Sequence, residues 1–219
     1  MSTTAQTAHG EHPAFLQHHF HTPEQQASSS KLGMWLFLAQ EVLFFGGVFL
    51  AYAVIRYFYP ETMLAGHEHL NVPLGATNTV VLLTSSLTMA LAVRAAQLGD
   101  RKKQVLFLAA TIALACTFLV IKYFEYAHKI HLGLLPGRLY EGKGIAGHPQ
   151  IFFAIYFVMT GLHGLHVLAG IGVLLWVLRR ANRGDFGPGY HTPVENVGLY
   201  WHLVDIIWIF LFPLLYLVK

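Results

Sequence analysis

Glu41, His163, His166, His202, Asp205 and Glu125 are the residues whose types and spacing could support chemistry, because each lies within or beside a long stretch of apolar sequence. His163 and His166 are three apart, as are His202 and Asp205, so each pair shares one side of a helix. Imidazoles and carboxylates placed in this way suggest metal or haem ligation, or proton transfer. A di-iron site needs Glu-x-x-His on two helices with two further glutamates, and that pattern is missing. A bis-histidine haem needs two opposed imidazoles, whereas His163 and His166 lie on one helix. Acyl transfer has no support, since no G-x-S-x-G occurs and Ser85 and Ser86 sit in a Thr-rich packing stretch. There remain hydrogen bonds that fix one helix against another, with a proton relay as the alternative.

Such residues need long apolar helices to hold them. Five stretches, about 32–56, 74–94, 104–129, 151–178 and 195–218, are long enough as helices to cross roughly 30 Å of hydrocarbon. They are apolar on all faces and lack period-two alternation, which predicts helices and not barrel strands. Glu41 lies about 13 Å beyond Leu32 at roughly 1.5 Å per residue, near the bilayer midplane. The antiparallel fourth span brings His163 and His166 to a similar depth, so a hydrogen bond from Glu41 to one of them is expected. Gly161, Gly164, Gly170 and Gly172 leave that span bare enough for another helix to approach closely. Glu125 stands between Lys122 and Lys129 at spacings that allow neutralisation within its own helix.

The composition agrees with a membrane chain. Of 219 residues 55% are hydrophobic and only 11% charged, where a soluble domain carries about 25% charged residues. A soluble enzyme and a disordered chain are both excluded. The formal charge of +3 is too small for a nucleic-acid footprint. The single cysteine, Cys116, rules out an internal disulfide or a thiolate cluster and is expected to be a buried small hydrophobe.

Residues 1–31 hold His9, His12, His18, His19 and His21 and no apolar run, so they read as a solvated tail and not a cleavable signal. The organisation expected is therefore a tail, 1–31, and a five-helix membrane domain, 32–219. An odd number of spans puts the termini on opposite sides. With the N-terminus inside, Lys31, Arg94, Arg101, Lys102, Lys103, Arg179, Arg180 and Arg183 fall inside, against Arg56, Lys129, Arg138, Lys143 and Lys219 outside. That excess predicts N-in and C-out, and makes Arg179, Arg180 and Arg183 candidates for lipid headgroup contacts.

The segments LAQEVLFFGGVF (38–49), NTVVLLTSS (78–86), GDRKKQ (99–104), KYFEYAH (122–128), TGLHGLHVLAG (160–170) and ENVGLYWHLVDIIWIFLFPLLYL (195–217) occur in an order that resembles cytochrome c oxidase subunit III. The resemblance runs from about Lys31 to Val218. It implies a non-catalytic subunit of a haem-copper terminal oxidase in a bacterial cytoplasmic membrane. Haem and copper would then sit in partner subunits and none in this chain. The expected partners are subunit I as the main contact, subunit II, a small subunit IV and membrane phospholipid. The family role is to bind lipid, stabilise the complex and support proton uptake by subunit I.

Longer family members have seven spans, and this chain resembles the shorter bacterial form that begins at their third. Their lipid-holding cleft is therefore expected to be missing here or closed by another subunit. Glu41 matches the family's carbodiimide-reactive membrane carboxylate, and His163, His166, His202, Asp205, Glu125 and Arg180 also match family positions. The alternative is an independent proton or ion transporter using Glu41, His166 and Asp205. A transporter should show broken helices and inverted repeats, whereas these spans lack a central proline and show no repeat. The resemblance does not distinguish cytochrome c from quinol as electron donor.

Overall fold

A computed structural model describes residues 15–137, 140 and 149–217. These form six helices, α1 (Pro23–Phe58), α2 (Pro60–His67), α3 (Val72–Gln97), α4 (Arg101–His131), α5 (Pro149–Arg183) and α6 (Thr192–Tyr216), with no strand longer than an isolated bridge. All but α2 are long and apolar enough to cross a membrane. The chain is therefore an all-α, multi-pass membrane bundle with five spans.

The first helix starts well before the apolar run. Thr22 caps it, its hydroxyl accepting from the Gln25 N–H at 3.1 Å, with Pro23 and Glu24 opening the first turn. Residues 23–31, expected in a solvated tail, are thus helical, because a capped proline start suits the orphan N–H groups of a first turn. Ser30 Oγ accepts from Asn196 Nδ2 at 2.8 Å, and Lys31 pairs with Glu195 at 3.1 Å, tying the start of α1 to the start of α6. His18, His19 and His21 are exposed, while His9, His12, Arg138, Lys143, Val218 and Lys219 lie outside the described residues.

α1 buries only Leu38, Glu41, Phe45 and Tyr52, whereas Leu43 is 77% exposed. A helix apolar on every face with so little buried needs hydrocarbon around it. α6 is the opposite case, packed against α1, α3 and α5, with Trp201, Trp208 and Tyr216 fully enclosed. Cys116 is exposed on α4, which corrects the expectation of burial; a thiol is apolar enough to face lipid.

Two polar seams hold α6 in place along its length and at its end. Along α3, Thr79 Oγ1 accepts from Trp208 Nε1 at 3.1 Å, Ser85 Oγ accepts from Trp201 Nε1 at 2.9 Å, and Ser86 Oγ meets His202 Nδ1 at 2.6 Å. The Thr-rich stretch is therefore an interhelical zipper. At the end of α6, where helix carbonyls lack partners, Tyr52 donates to the Leu214 carbonyl and His67 Nδ1 meets the Leu215 carbonyl. His67 belongs to α2, the short helix that the hydropathy reading passes over.

The α3–α4 hairpin turns at Gly99, whose φ of +74° suits glycine, and Asp100 then caps α4 by accepting from the Lys103 N–H at 3.1 Å. Of the four glycines expected to admit a close neighbour, only Gly170 does so. A Cβ there would lie 2.7 Å from the Trp201 ring, while Gly161, Gly164 and Gly172 face open space. Gly170→Ala should therefore cost about 1–3 kcal/mol, read as a lower midpoint in Trp-fluorescence melting; Gly172→Ala should leave the midpoint unchanged.

Candidate functional site

Two ionisable clusters stand out, a part-buried one between α1 and α5 and a buried one between α4, α5 and α6. In the first, His166 on α5 bonds the Leu162 carbonyl through Nδ1 at 2.8 Å and Glu41 Oε2 on α1 through Nε2 at 3.0 Å. A carbonyl only accepts, so Nδ1 carries a hydrogen. The contact at Nε2 then holds one proton between imidazole and carboxyl, and the pair is neutral overall whichever atom bears it. Phe45 covers the ring edge-on, its centroid 5.0 Å away. This arrangement meets the demand of hydrocarbon that ionisable groups be paired.

The second cluster is built around Glu125 on α4. Glu125 Oε2 accepts from Lys122 Nζ at 2.9 Å, and Oε1 accepts from Lys129 Nζ at 3.0 Å, Tyr156 Oη at 3.0 Å and Tyr216 Oη at 2.6 Å. Lys122 spends its three N–H bonds on Glu125, Tyr156 at 3.3 Å and Tyr216 at 3.0 Å. Four aromatic rings, those of Tyr126, Tyr156, Trp208 and Tyr216, surround its ammonium group with centroids 5.0–5.6 Å away. The spacing of Lys122, Glu125 and Lys129 was visible in the sequence. The tyrosines were not, because they arrive from α5 and α6, and nothing in their own segments marks them. Lys129 is 2% exposed, so it is a packing residue and not one of the surface charges of its side.

His163 and His166 do not act together. His163 is fully buried beside the rings of Phe118, at 5.6 Å, and Trp208, at 5.3 Å, and neither of its nitrogens has a hydrogen-bond partner among the described residues. Glu41 therefore meets His166 alone of the two. His202 and Asp205 both stand beside Ser86, whose hydroxyl His202 bonds, but among the described residues no hydrogen bond joins Asp205 to His202, Glu41 or His166. The three residues of the transporter alternative are not linked into one chain of hydrogen bonds.

The arginines at the end of α5 divide as well. Arg180 Nε donates to Asp185 at 2.8 Å, and its guanidinium stacks over Trp176, Phe186 and Tyr190 at 5.0–5.8 Å. It is held by protein groups through Nε and its ring stacking, whereas Arg179 and Arg183 are exposed. On the same side, Glu195 pairs with Lys31 and His191 and accepts from Gln97 at 2.8 Å. The sequence reading missed this cluster because its members are scattered over α1, α3 and α6. Among the described residues no three His, Cys, Asp or Glu side chains are grouped so as to hold a metal ion.

Fold and site define a multi-pass helical membrane protein in which the two clusters are engaged within the bundle itself. A family model described as cytochrome c oxidase subunit III matches residues 11–219. The chain is 33% identical over 190 residues to cytochrome c oxidase subunit 3 of Corynebacterium diphtheriae, covering 86% of this chain and 87% of that one. It is 36% identical over 188 residues to the subunit 3 of Thermostichus vulcanus, covering 85% and 86%. A heme-copper oxidase subunit I+III of Aeropyrum pernix is 33% identical over 217 residues, 94% of this chain and 24% of the longer one. The chain belongs to the cytochrome c oxidase subunit III family.

Proposed function

We propose that the chain is the non-catalytic third subunit of a haem-copper terminal oxidase in a bacterial cytoplasmic membrane, N-terminus inside, lying beside subunit I. Haem and copper belong to partner subunits, and this chain binds phospholipid, stabilises the assembly and supports proton uptake by subunit I. Subunit II and a small subunit IV complete the set of partners. The observation that carries this reading is the family match over the whole bundle, residues 11–219. The relative named subunit I+III supports the contact with subunit I, since one polypeptide there carries both names. Pairing of Glu41 with His166, and of Glu125 with two lysines, supports a stabilising role over a proton relay.

Tagging the chain, solubilising native membranes in mild detergent and identifying the co-purifying proteins tests the proposal. Oxidase subunits with a haem spectrum should co-purify, and the isolated chain should be colourless. A stoichiometric haem band in the chain alone would overturn it, as would purification of the chain as an independent transporter.

Arg179 and Arg183 are the headgroup candidates that remain free. The Arg179→Ala, Arg183→Ala double variant should weaken phospholipid retention by about 1 kcal/mol per charge, measured by native mass spectrometry of the complex. Arg180→Ala should instead lower the melting midpoint, through loss of the Asp185 and aromatic contacts, with lipid content unchanged.

A further inference from the structure

We propose that His191 is a proton-operated clasp on the membrane face where α1 begins: protonated, it joins the α5–α6 turn to Glu195, and deprotonated, it frees that turn and the segment 15–20 stacked on it. The imidazole stands just before α6 and is 27% exposed, so water can deliver and remove its proton. Its Nδ1 lies 3.3 Å from the Gly187 carbonyl oxygen, and its Nε2 lies 3.2 Å from Glu195 Oε1. A carbonyl oxygen only accepts, so Nδ1 must carry a hydrogen. Glu195 Oε1 also accepts from Gln97 Nε2 at 2.8 Å, and Oε2 pairs with Lys31 Nζ at 3.1 Å, so the group is a carboxylate and it too only accepts. Both ring nitrogens therefore need hydrogens, which only the imidazolium has. The contact of His166 with Glu41 differs, because no lysine or arginine pairs with Glu41 among the described residues and its carboxyl can hold the shared proton itself.

The clasp holds together segments far apart in sequence. Gly187 and Tyr190 exchange backbone hydrogen bonds at 3.2 and 2.9 Å, and the Gly187 carbonyl takes the imidazolium as well. Tyr190 stacks face to face on Phe15, with ring centroids 4.6 Å apart. Gln26 of α1 secures the other edge of that segment, donating to the Phe15 carbonyl at 3.2 Å and accepting from the Gln17 N–H at 2.8 Å. These contacts close one wall of a cavity of ≈ 340 Å³ that Phe20, Pro23 and Pro193 also line. The groups facing the imidazole are Glu195 on α6, with Lys31 of α1 and Gln97 of α3 behind that carboxylate, and on the side of the turn Tyr190 with the Arg180–Asp185 pair. Among these side-chain types only imidazole ordinarily changes charge between about pH 5 and 8, so the clasp is shut below that range and open above it.

Hydrogen-exchange mass spectrometry of the purified complex at about pH 5.5 and 8.5 brackets the imidazole range, with exchange expressed as protection factors so that its chemical pH dependence drops out. Protection of the Gln17 and Tyr190 amides should fall about fivefold at the higher pH, the scale of one part-exposed ion pair. His191→Gln, whose single amide nitrogen cannot face both acceptors, should give the low value at both pH values. His191→Lys, charged at both, should give the high value at both, so a variant that merely misfolds cannot reproduce the pattern. His18, His19 and His21 are exposed, and among the described residues no hydrogen bond joins their rings to the turn; replacing all three with Gln should leave the response intact. Equal protection at both pH values in the unaltered chain would overturn the proposal, as would an undiminished response in His191→Gln or His191→Lys, or loss of the response in the triple variant.

Discussion

Glu125→Leu should destabilise the bundle by about 3–5 kcal/mol, enough to prevent recovery of the subunit in an assembled complex. The substitution leaves Lys122 and Lys129, 7% and 2% exposed, with no counter-charge among the described residues. It also removes the acceptor for Tyr156 and Tyr216. An uncompensated buried charge costs much more than the loss of a pair as a whole, because each ion was already paid for in desolvation and only the attraction is withdrawn. The triple variant Lys122→Met, Glu125→Leu, Lys129→Met should therefore regain most of the lost stability, with the two tyrosine hydroxyls, 3.4 Å apart, bonding each other. Trp208, whose ring lies 5.0 Å from Lys122 Nζ, gives a fluorescence signal for melting in detergent. A Glu125→Leu midpoint equal to that of the unaltered protein would contradict the cluster's stabilising role, as would a triple variant no better than the single one.

Glu41→Ala should loosen the attachment of α1 by about 1–3 kcal/mol, the cost of leaving the part-buried His166 Nε2 without its partner. α1 is otherwise the least enclosed span, with Tyr52 and the Ser30–Asn196 contact among its few polar ties to the bundle. The effect should appear as loss of the subunit during detergent washing. Glu41→Gln should be close to neutral, because an amide N–H still donates to an imidazole nitrogen. Proton-to-electron ratios in reconstituted complexes should then match those of the unaltered enzyme. Loss of pumping in Glu41→Gln, with assembly and lipid content intact, would show that the ionisable proton itself is used and that the pairing is more than structural.

How much of this was legible in the sequence follows from the range of each interaction. The five spans were legible because hydrophobicity over twenty residues decides membrane insertion locally. The neutralisation of Glu125 by Lys122 and Lys129 was legible for the same reason, since partners three and four residues away are fixed by helix pitch alone. Even the choice of Glu41 with the His163 and His166 pair could be narrowed by depth, because rise per residue converts sequence position to height in the membrane.

Azimuth is what the tertiary structure decided. Residues three apart differ by about 60° around a helix of 3.6 residues per turn, enough to turn His166 toward α1 and His163 toward α4 and α6. Adjacent residues differ by about 100°, which sends Arg180 onto the 185–190 loop and leaves Arg179 outside, and azimuth likewise leaves Gly161 and Gly164 in open space while Gly170 takes the Trp201 ring. Which neighbour fills each direction depends on how the helices are arranged around α6, and that arrangement is set by contacts such as Trp201 with Ser85 and Trp208 with Thr79. Those pairs join residues more than a hundred positions apart. Hydropathy and spacing therefore determined that the chain crosses the membrane five times and which polar residues must be buried, while only the packed bundle decided which of them meet.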